Sequence, residues 1–470
     1  MTGQITISIW IFLLLIAIAI LAILDRVLIP STRWFLRRRV NRVIDEISKR
    51  LDIEIKPFQL TKRQVLIDRL IYDPKVVKAV QLRAQEKNIP REFVQAKVVK
   101  YAKEIVPSFN AYLYFRIGYW LAKKIANLLY HVHIGLIDNE QFAGINPDST
   151  VVFVMNHRSN MDYVLVAFLA AEKTTLSYAV GEWAKIWPLQ TLIRAMGAFF
   201  VRRKSGNPLY RLVLERYIHM ATKEGVCQAV FLEGGLSRDG LLRPPKLGFV
   251  DYMLRSFKPG SDRDIIFIPV GINYDRTLED RSLLRMLDPE AQKRSRWFIM
   301  KTTARFIWRS IIFISLSRWQ RFGYASVNFG PRISAKEYCR ANDIDFSQME
   351  RKDRFLEVEK ISNHIMTSIK NVIPVLPVPL VAAVFVKFPN ESLCAFDVEA
   401  HANRIIDEFQ AKNAPVFLST TSRVQTIVTA LNMLRIRRLV VETDGFYKAD
   451  PEMLDILSYY AKSIDHYFPH

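Results

Sequence analysis

The 470-residue chain carries 67 Lys and Arg against 46 Asp and Glu, a net charge of +21. Half of its residues are hydrophobic, which excludes a wholly disordered chain and leaves room for more than one domain. Three cysteines, Cys227, Cys339 and Cys394, are far apart and odd in number. They exclude a disulfide framework and a zinc spacing, and the excess of cations points to an anionic partner: nucleic acid, a negative membrane surface, or a phosphorylated or acidic substrate.

Ile5 to Leu24 is apolar on every face and has about the 20 residues a bilayer crossing needs. No Lys or Arg precedes it, whereas Arg26, Arg33, Arg37, Arg38, Arg39 and Arg42 follow closely. That asymmetry predicts an uncleaved single-pass anchor over residues 1–25, with the bulk of the chain on the cytoplasmic side. Residues 26–135 read as a basic helical region. "DPKVVKAVQLRAQEKN" and "PREFVQAKVVKYAKEIV" space their apolar residues three and four apart, with Pro90 at a helix start. The next stretch, "SFNAYLYFRIGYWLAKKIANLLY", mixes aromatics with Arg and Lys. It suits a membrane interface and a core helix with a solvated edge about equally.

Over residues 136–335 the pattern changes to short β-type runs, "TVVFVMN", "LSYAV", "GAFFV", "QAVFLEG", "IIFIPVGINY" and "YASVNFGP", separated by helical material. Such alternation predicts an α/β domain with a largely parallel sheet flanked by helices. Its sites belong beyond the carboxyl ends of the strands. Lys293 to Tyr324 interleaves aromatics with Lys and Arg; with an anchor present, that mixture favours anionic lipid over nucleic acid. Residues 336–470 read as a mainly helical C-terminal module. Pro374, Pro377 and Pro379 mark a stiff connector, and a helix followed by a hairpin on Asp444-Gly445 is winged-helix-like.

The chemistry gathers at strand ends. The run ending at Asn156 presents His157, and Asp162 falls five residues later, at or near a helix start. A carboxylate there fixes one imidazole N–H and leaves the other nitrogen to take a proton from a hydroxyl. The spacing alone is weak, since His133 and Asp138 share it; the alternative is a capping aspartate beside a satisfied histidine. "FLEGGLSRDGLLRPPKLG" places Glu233 at a strand end, Gly234 where backbone can approach a ligand, and Ser237, Arg238, Arg243 and Lys246 as donors and charge. It reads as a phosphate cradle or as a plain turn. Arg202 and Arg203 close another strand, either to hold an anion or as an ordinary solvated end. Pro269 interrupts an apolar run and marks an edge or a bulge. No ligand cluster or dinucleotide loop is evident, so no metal or redox cofactor is expected.

Four ordered blocks, "HRSNMDY", "GAFFVRR", "FLEGGLSRDGLLRPPKLG" and "IPVGINY", resemble those of the glycerophosphate acyltransferase superfamily, most closely the bacterial membrane-bound glycerol-3-phosphate acyltransferases. The resemblance implies transfer of an acyl group from acyl-CoA or acyl-carrier protein to the sn-1 hydroxyl of glycerol 3-phosphate, at the inner membrane. It implies His157 as general base and Asp162 as its orienter. Arg202, Arg203, Glu233, Gly234, Ser237 and Arg238 would serve the acceptor site with Lys246 in support, and Pro269 the acyl-donor region. One departure stands out. Many members have a second arginine where this chain has Leu236, a loss of about 1.5–3 kcal/mol if that arginine bonds phosphate. It leaves dihydroxyacetone phosphate or lysophosphatidate as alternative acceptors. A different class of alternative is an inactive membrane-tethered lipid- or nucleic-acid-binding protein.

Overall fold

A computed structural model describes residues 56–135, 144–170, 174–181, 189–202, 205–287, 322–418 and 422–468. All lie in one compact unit, Ile55–His470. The predicted anchor, its arginine collar, Arg203, Asp138 and nearly all of the basic-aromatic segment 293–324 fall outside the described residues. Among the described residues no helix is long and apolar enough to cross a membrane.

The six predicted runs all form strands, β2 to β7, and β1 and β8 join them in one sheet: β1 (His131–Ile134), β2 (Thr150–Met155), β3 (Ser177–Gly181), β4 (Phe199–Val201), β5 (Gln228–Phe231), β6 (Ile265–Tyr274), β7 (Tyr324–Phe329) and β8 (Ile333–Ser334). Their order is β1-β7-β6-β2-β5-β3-β4, with β8 also on β6. The pairs β6-β2-β5-β3-β4 are parallel; β7 and β8 run antiparallel to β6. β2 is buried along nearly its whole length and β6 along all of it. Helices on both faces explain this, since a parallel sheet needs crossovers that cover it. β2 and β5 lie side by side in the middle with Met155 opposite Phe231, so the loops that follow them emerge together.

Pro269 corrects the sequence reading in part. It lies in a central strand rather than at an edge, paired with Val154. On its other side β8 covers Ile266 and Phe267 and β7 begins at Val270, so the proline sits where the antiparallel partner changes. A residue without an N–H costs nothing at that gap. Its carbonyl accepts from Gly330 N at 2.8 Å.

The N-terminal helices Arg63–Ile71, Pro74–Glu86 and Arg91–Ile105 share one core with the sheet, the Pro208–Lys223 helix and the long Arg351–Val372 helix. A second core takes most of Val375 to Tyr467. The proline run there is no connector. Pro377 starts a helix to Lys387 whose residues Pro377 to Phe385 are all buried. Proline is favoured in the first helical turn, where its missing N–H would be unpaired anyway. Then follow β9 (Leu393–Cys394), helices Ala395–Ala411 and Arg423–Ile436, and the predicted hairpin β10 (Val440–Thr443) and β11 (Phe446–Ala449), joined in the order β10-β11-β9.

Candidate functional site

Asn156 prepares the site. Its side chain donates to the Ile272 carbonyl at 2.9 Å and accepts from Ile272 N at 2.8 Å. It thereby copies a strand residue and carries the β2–β6 register one step beyond the last β2 residue. His157 follows. Its backbone N–H donates to Glu233 Oε1 at 2.8 Å, and its carbonyl accepts from Ser237 N at 2.9 Å. The loop after β5 therefore clasps the loop after β2 through the histidine's own peptide groups.

The imidazole Nδ1 lies 2.8 Å from Asp162 Oδ2. The same oxygen accepts from the backbone N–H groups of Arg158 at 2.8 Å and Ser159 at 3.1 Å. Asp162 Oδ1 accepts from the Tyr274 hydroxyl at 2.6 Å. Asp162 occupies the first turn of the Met161–Ala170 helix, where a carboxylate is also favoured by the helix dipole. A carboxylate holding three other donors is an acceptor, so Nδ1 carries the proton and Nε2 offers a lone pair. The ring is fixed by Phe231, stacked at 3.9 Å, and by Tyr163, edge-on at 5.4 Å.

Nε2 is buried and has no hydrogen-bond partner among the described residues. Burying a polar nitrogen unpaired costs about 1–3 kcal/mol, and such orphans mark sites where a ligand completes the set. The base is not open to the surface, however. His157 is 1 % exposed and Asp162 0 %.

Glu233 is buried, with Oε2 accepting from Arg243 N at 2.9 Å. Burial pushes its carboxyl up to about 7, against the two N–H groups that favour the charged form. It braces two loops rather than lining an open site. Gly234 has φ +67°, and a Cβ there would come within 2.8 Å of the Lys246 side chain; the close approach is to a lysine stem, whereas the sequence suggested one to a ligand. Ser237 is buried and ties its own turn, donating to the Leu241 carbonyl at 2.7 Å and accepting from Gly240 N at 3.1 Å. Arg238 and Lys246 are exposed on the same loop, and the Arg238 guanidinium reaches the Met286 carbonyl at 3.5 Å. Leu236 packs against the C-terminal core.

Arg202 stands elsewhere. At the end of β4, on the sheet's far edge, it makes a two-pronged ion pair with Glu104 at 2.6 and 2.9 Å and lies over the rings of Tyr101 and Tyr210. The glutamate holds it well above the usual guanidinium range. Its charge is already matched by a helix the sequence reading did not connect to it.

Several site residues escaped that reading. Tyr274 ends β6, four places on from the Val270 that pairs with Met155. Glu279 accepts from Ser159 Oγ at 2.7 Å and Asn160 N at 3.2 Å, and burial raises its carboxyl. Arg158 is buried, bonded to the Gly240 carbonyl and set over the Tyr459 ring at 5.3 Å. Gly240, at φ +95°, has no room for a Cβ, which would fall 2.1 Å from the Tyr459 carbonyl. Beside it, Arg437 and the Tyr460 hydroxyl both bond Asp280. The helix Leu454–Ala461 thus props both loops of the site. Tyr274, Arg158 and Gly240 each fall within one of the four ordered blocks, but no spacing set them apart there; Glu279, Asp280, Arg437, Tyr459 and Tyr460 lie outside the blocks.

Residues 138–273 match a family model described as Acyltransferase, and residues 311–469 match one described as Glycerol-3-phosphate acyltransferase C-terminal region. Among curated proteins, the chain is 27% identical over 424 residues to a glycerol-3-phosphate acyltransferase of Pseudoalteromonas atlantica, which covers 87% of this chain and 50% of that protein. It is 34% identical over 283 residues to one of Pseudomonas putida strain W619, covering 58% of this chain and 32% of that protein. The chain spans at most half the length of the curated relatives it matches. The solved 1-acyl-sn-glycerophosphate acyltransferase of Thermotoga maritima aligns over 65% of this chain and 97% of its own, at 16% identity and a TM-score of 0.29, a likeness too slight to bear on the fold. The two family matches fall on the sheet that carries His157 and Asp162 and on the module that props it, and the curated relatives over the same residues are glycerol-3-phosphate acyltransferases.

Proposed function

We propose that the chain is a membrane-associated O-acyltransferase that moves a fatty acyl group from a thioester, acyl-CoA or acyl-carrier protein, to the sn-1 hydroxyl of glycerol 3-phosphate. The observation that carries this is the imidazole with one nitrogen held at 2.8 Å by a buried carboxylate and the other nitrogen buried without a partner. An acceptor hydroxyl fills that vacancy by donating to Nε2. As its oxygen attacks the thioester carbonyl, the proton passes to Nε2, and Asp162 stabilises the imidazolium. Collapse of the tetrahedral adduct expels the thiolate, which takes the proton back. No acyl-enzyme forms, because the acceptor itself is the nucleophile. The acceptor reaches Nε2 only when the residues over the ring move.

Arg238 and Lys246 would take the acceptor's phosphate, which their exposure on the loop bound to His157 through Ser237 supports. Arg203 is assigned to the same role from its block alone. Arg202 is spent on Glu104 and serves as structure. Membrane association rests on the apolar segment 5–24 and its arginine collar.

One observation favours a second acceptor. Leu236 stands where many family members carry an arginine, and its side chain packs into the C-terminal core. A dihydroxyacetone phosphate or lysophosphatidate acceptor is the reading that follows if this position sets specificity.

The test uses the full-length protein with labelled glycerol 3-phosphate, dihydroxyacetone phosphate or lysophosphatidate, each with acyl-CoA and with acyl-carrier protein. Acylated glycerol 3-phosphate is the expected product. Acylation of another acceptor in preference moves the assignment to it. No transfer to any acceptor by folded protein overturns the enzyme reading.

A further inference from the structure

The helical stretch before β1 has two faces. Its inner side, Ala122 and Ala126, packs on Phe168 of the Met161–Ala170 helix, and Tyr119 and Phe168 lie with ring centroids 5.9 Å apart. That neighbouring helix carries Asp162 in its first turn. The outer side is apolar as well. Trp120 is 57 % exposed, Ile117 43 % and Leu128 39 %. Arg116, Lys123 and Lys124 are exposed alongside them. From Ile105 to Ile137 the chain contains no Asp or Glu. The Lys123 amine lies over the Tyr119 and Phe168 rings at 5.5 and 5.8 Å, so its aliphatic stem runs along apolar surface.

The sequence left this stretch divided between a core helix and an interfacial one; the structure has it packed within and greasy without. A helix that satisfies the core on one side has no need of tryptophan and isoleucine in water on the other. Exposed apolar side chains on a stretch that carries cations and no acid of its own match one kind of surface: hydrocarbon beneath a layer of negative headgroups. A protein partner would be expected to meet some acid among the cations, and nucleic acid has no use for Ile117.

We infer that the outer face built from Ile117, Trp120 and Leu128, bordered by Arg116, Lys123 and Lys124, docks the acyltransferase core on an anionic lipid surface. This docking is separate from any anchoring by residues 5–24, and it rests on the acyltransferase reading for its purpose: the helix that carries Asp162 lies directly beneath the docked one. Lipid contact at Trp120 therefore sets the distance between the catalytic pair and the bilayer.

The test places an environment-sensitive fluorophore at position 120, as Trp120→Cys in a Cys394→Ser background, with Cys227 and Cys339 buried. A control carries the label at the 73 %-exposed Tyr72, as Tyr72→Cys. Full-length protein is reconstituted into phosphatidylcholine vesicles with and without phosphatidylglycerol, and quenching by a nitroxide on the lipid chain is read. The label at 120 is expected to be quenched at least threefold more than the label at 72, only in the vesicles with phosphatidylglycerol, and Lys124→Glu with Arg116→Glu is expected to remove the difference. A label at 120 quenched no more than at 72, or quenched alike without anionic lipid, overturns the inference. The readout needs no turnover, so a chain that inserts without acylating fails the functional reading alone, and one that acylates with position 120 in water fails this one alone.

Discussion

The ends of β2 and β4 pose the same arrangement in the sequence: an apolar strand that stops at charged residues. The structure makes them opposites. At β4 the Arg202 guanidinium has a carboxylate on two of its nitrogens and aromatic rings close by. At β2 the His157 ring is engaged on one nitrogen and empty on the other. A satisfied charge at a strand end is architecture, whereas an orphaned buried nitrogen is an offer to a ligand. The two cases separate only when the partner is known, and the partner of Arg202 lies 98 residues away.

The strongest way to break this contrast is to remove the imidazole. His157→Ala is expected to lower acyl transfer at least 1,000-fold, with the protein still folded by circular dichroism. Equal rates for the variant and the wild type would place the base elsewhere. Asp162→Asn keeps the shape but lets the amide present a donor toward Nδ1, which favours the wrong tautomer. A fall in kcat of roughly 100-fold is expected, with KM for the acceptor little changed. A variant that instead loses affinity and keeps kcat would make Asp162 a binding residue.

Tyr274→Phe sharpens the contrast further. It removes one donor from Asp162 and nothing from the histidine. The lost bond to a charged acceptor is worth about 1.5–3 kcal/mol, part of it in transition-state stabilisation, so kcat is expected to fall about tenfold. A tyrosine that only packed would leave kcat unchanged. At the other strand end, Arg202→Ala is expected to cost about 1–3 kcal/mol of stability by removing both guanidinium bonds to the Glu104 carboxylate, with acceptor KM within twofold of wild type. A KM increase of tenfold or more would mean that Arg202 leaves Glu104 for phosphate.

The contrast also shows what a sequence can carry. Every predicted strand run formed, because burial on both faces writes a continuous apolar signal. His157 and Asp162 were legible because both lie within one strand-to-helix turn, five residues apart. Tyr274, 112 residues from Asp162, was not, and neither was Glu279 or Tyr459; each reaches the site through the order β6-β2-β5 or the docking of a later helix, which no local spacing encodes. The chemistry of Arg202 and Ser237 left a ligand role and a plain structural one both open, and only the resemblance put them at the acceptor site; in the structure both bond the protein. The winged-helix-like hairpin was read correctly as a hairpin. Over residues 375–468 nine Lys and Arg face eleven Asp and Glu, so the chain's excess of cations lies outside this stretch.

The smallest effect concerns Glu233, and it tests whether the brace beneath His157 is charged. Burial raises this carboxyl to about 7, and that of the buried Asp275 to about 7 as well. Between the ordinary carboxylate range and 7 the folded protein holds protons that the unfolded chain has released. Stability contributed by these groups is therefore complete below about pH 4.5 and declines as pH rises through 7, by at most about 1.4 kcal/mol per pH unit for each group. Glu233→Gln fixes the side chain neutral. The variant is less stable overall, because an amide cannot accept from both His157 N and Arg243 N, but its unfolding midpoint should fall less steeply from pH 5 to 7 than that of the wild type, with the remaining slope left to Asp275. If the slope is unchanged, Glu233 is ionised throughout that range, and the two N–H groups it accepts outweigh its burial.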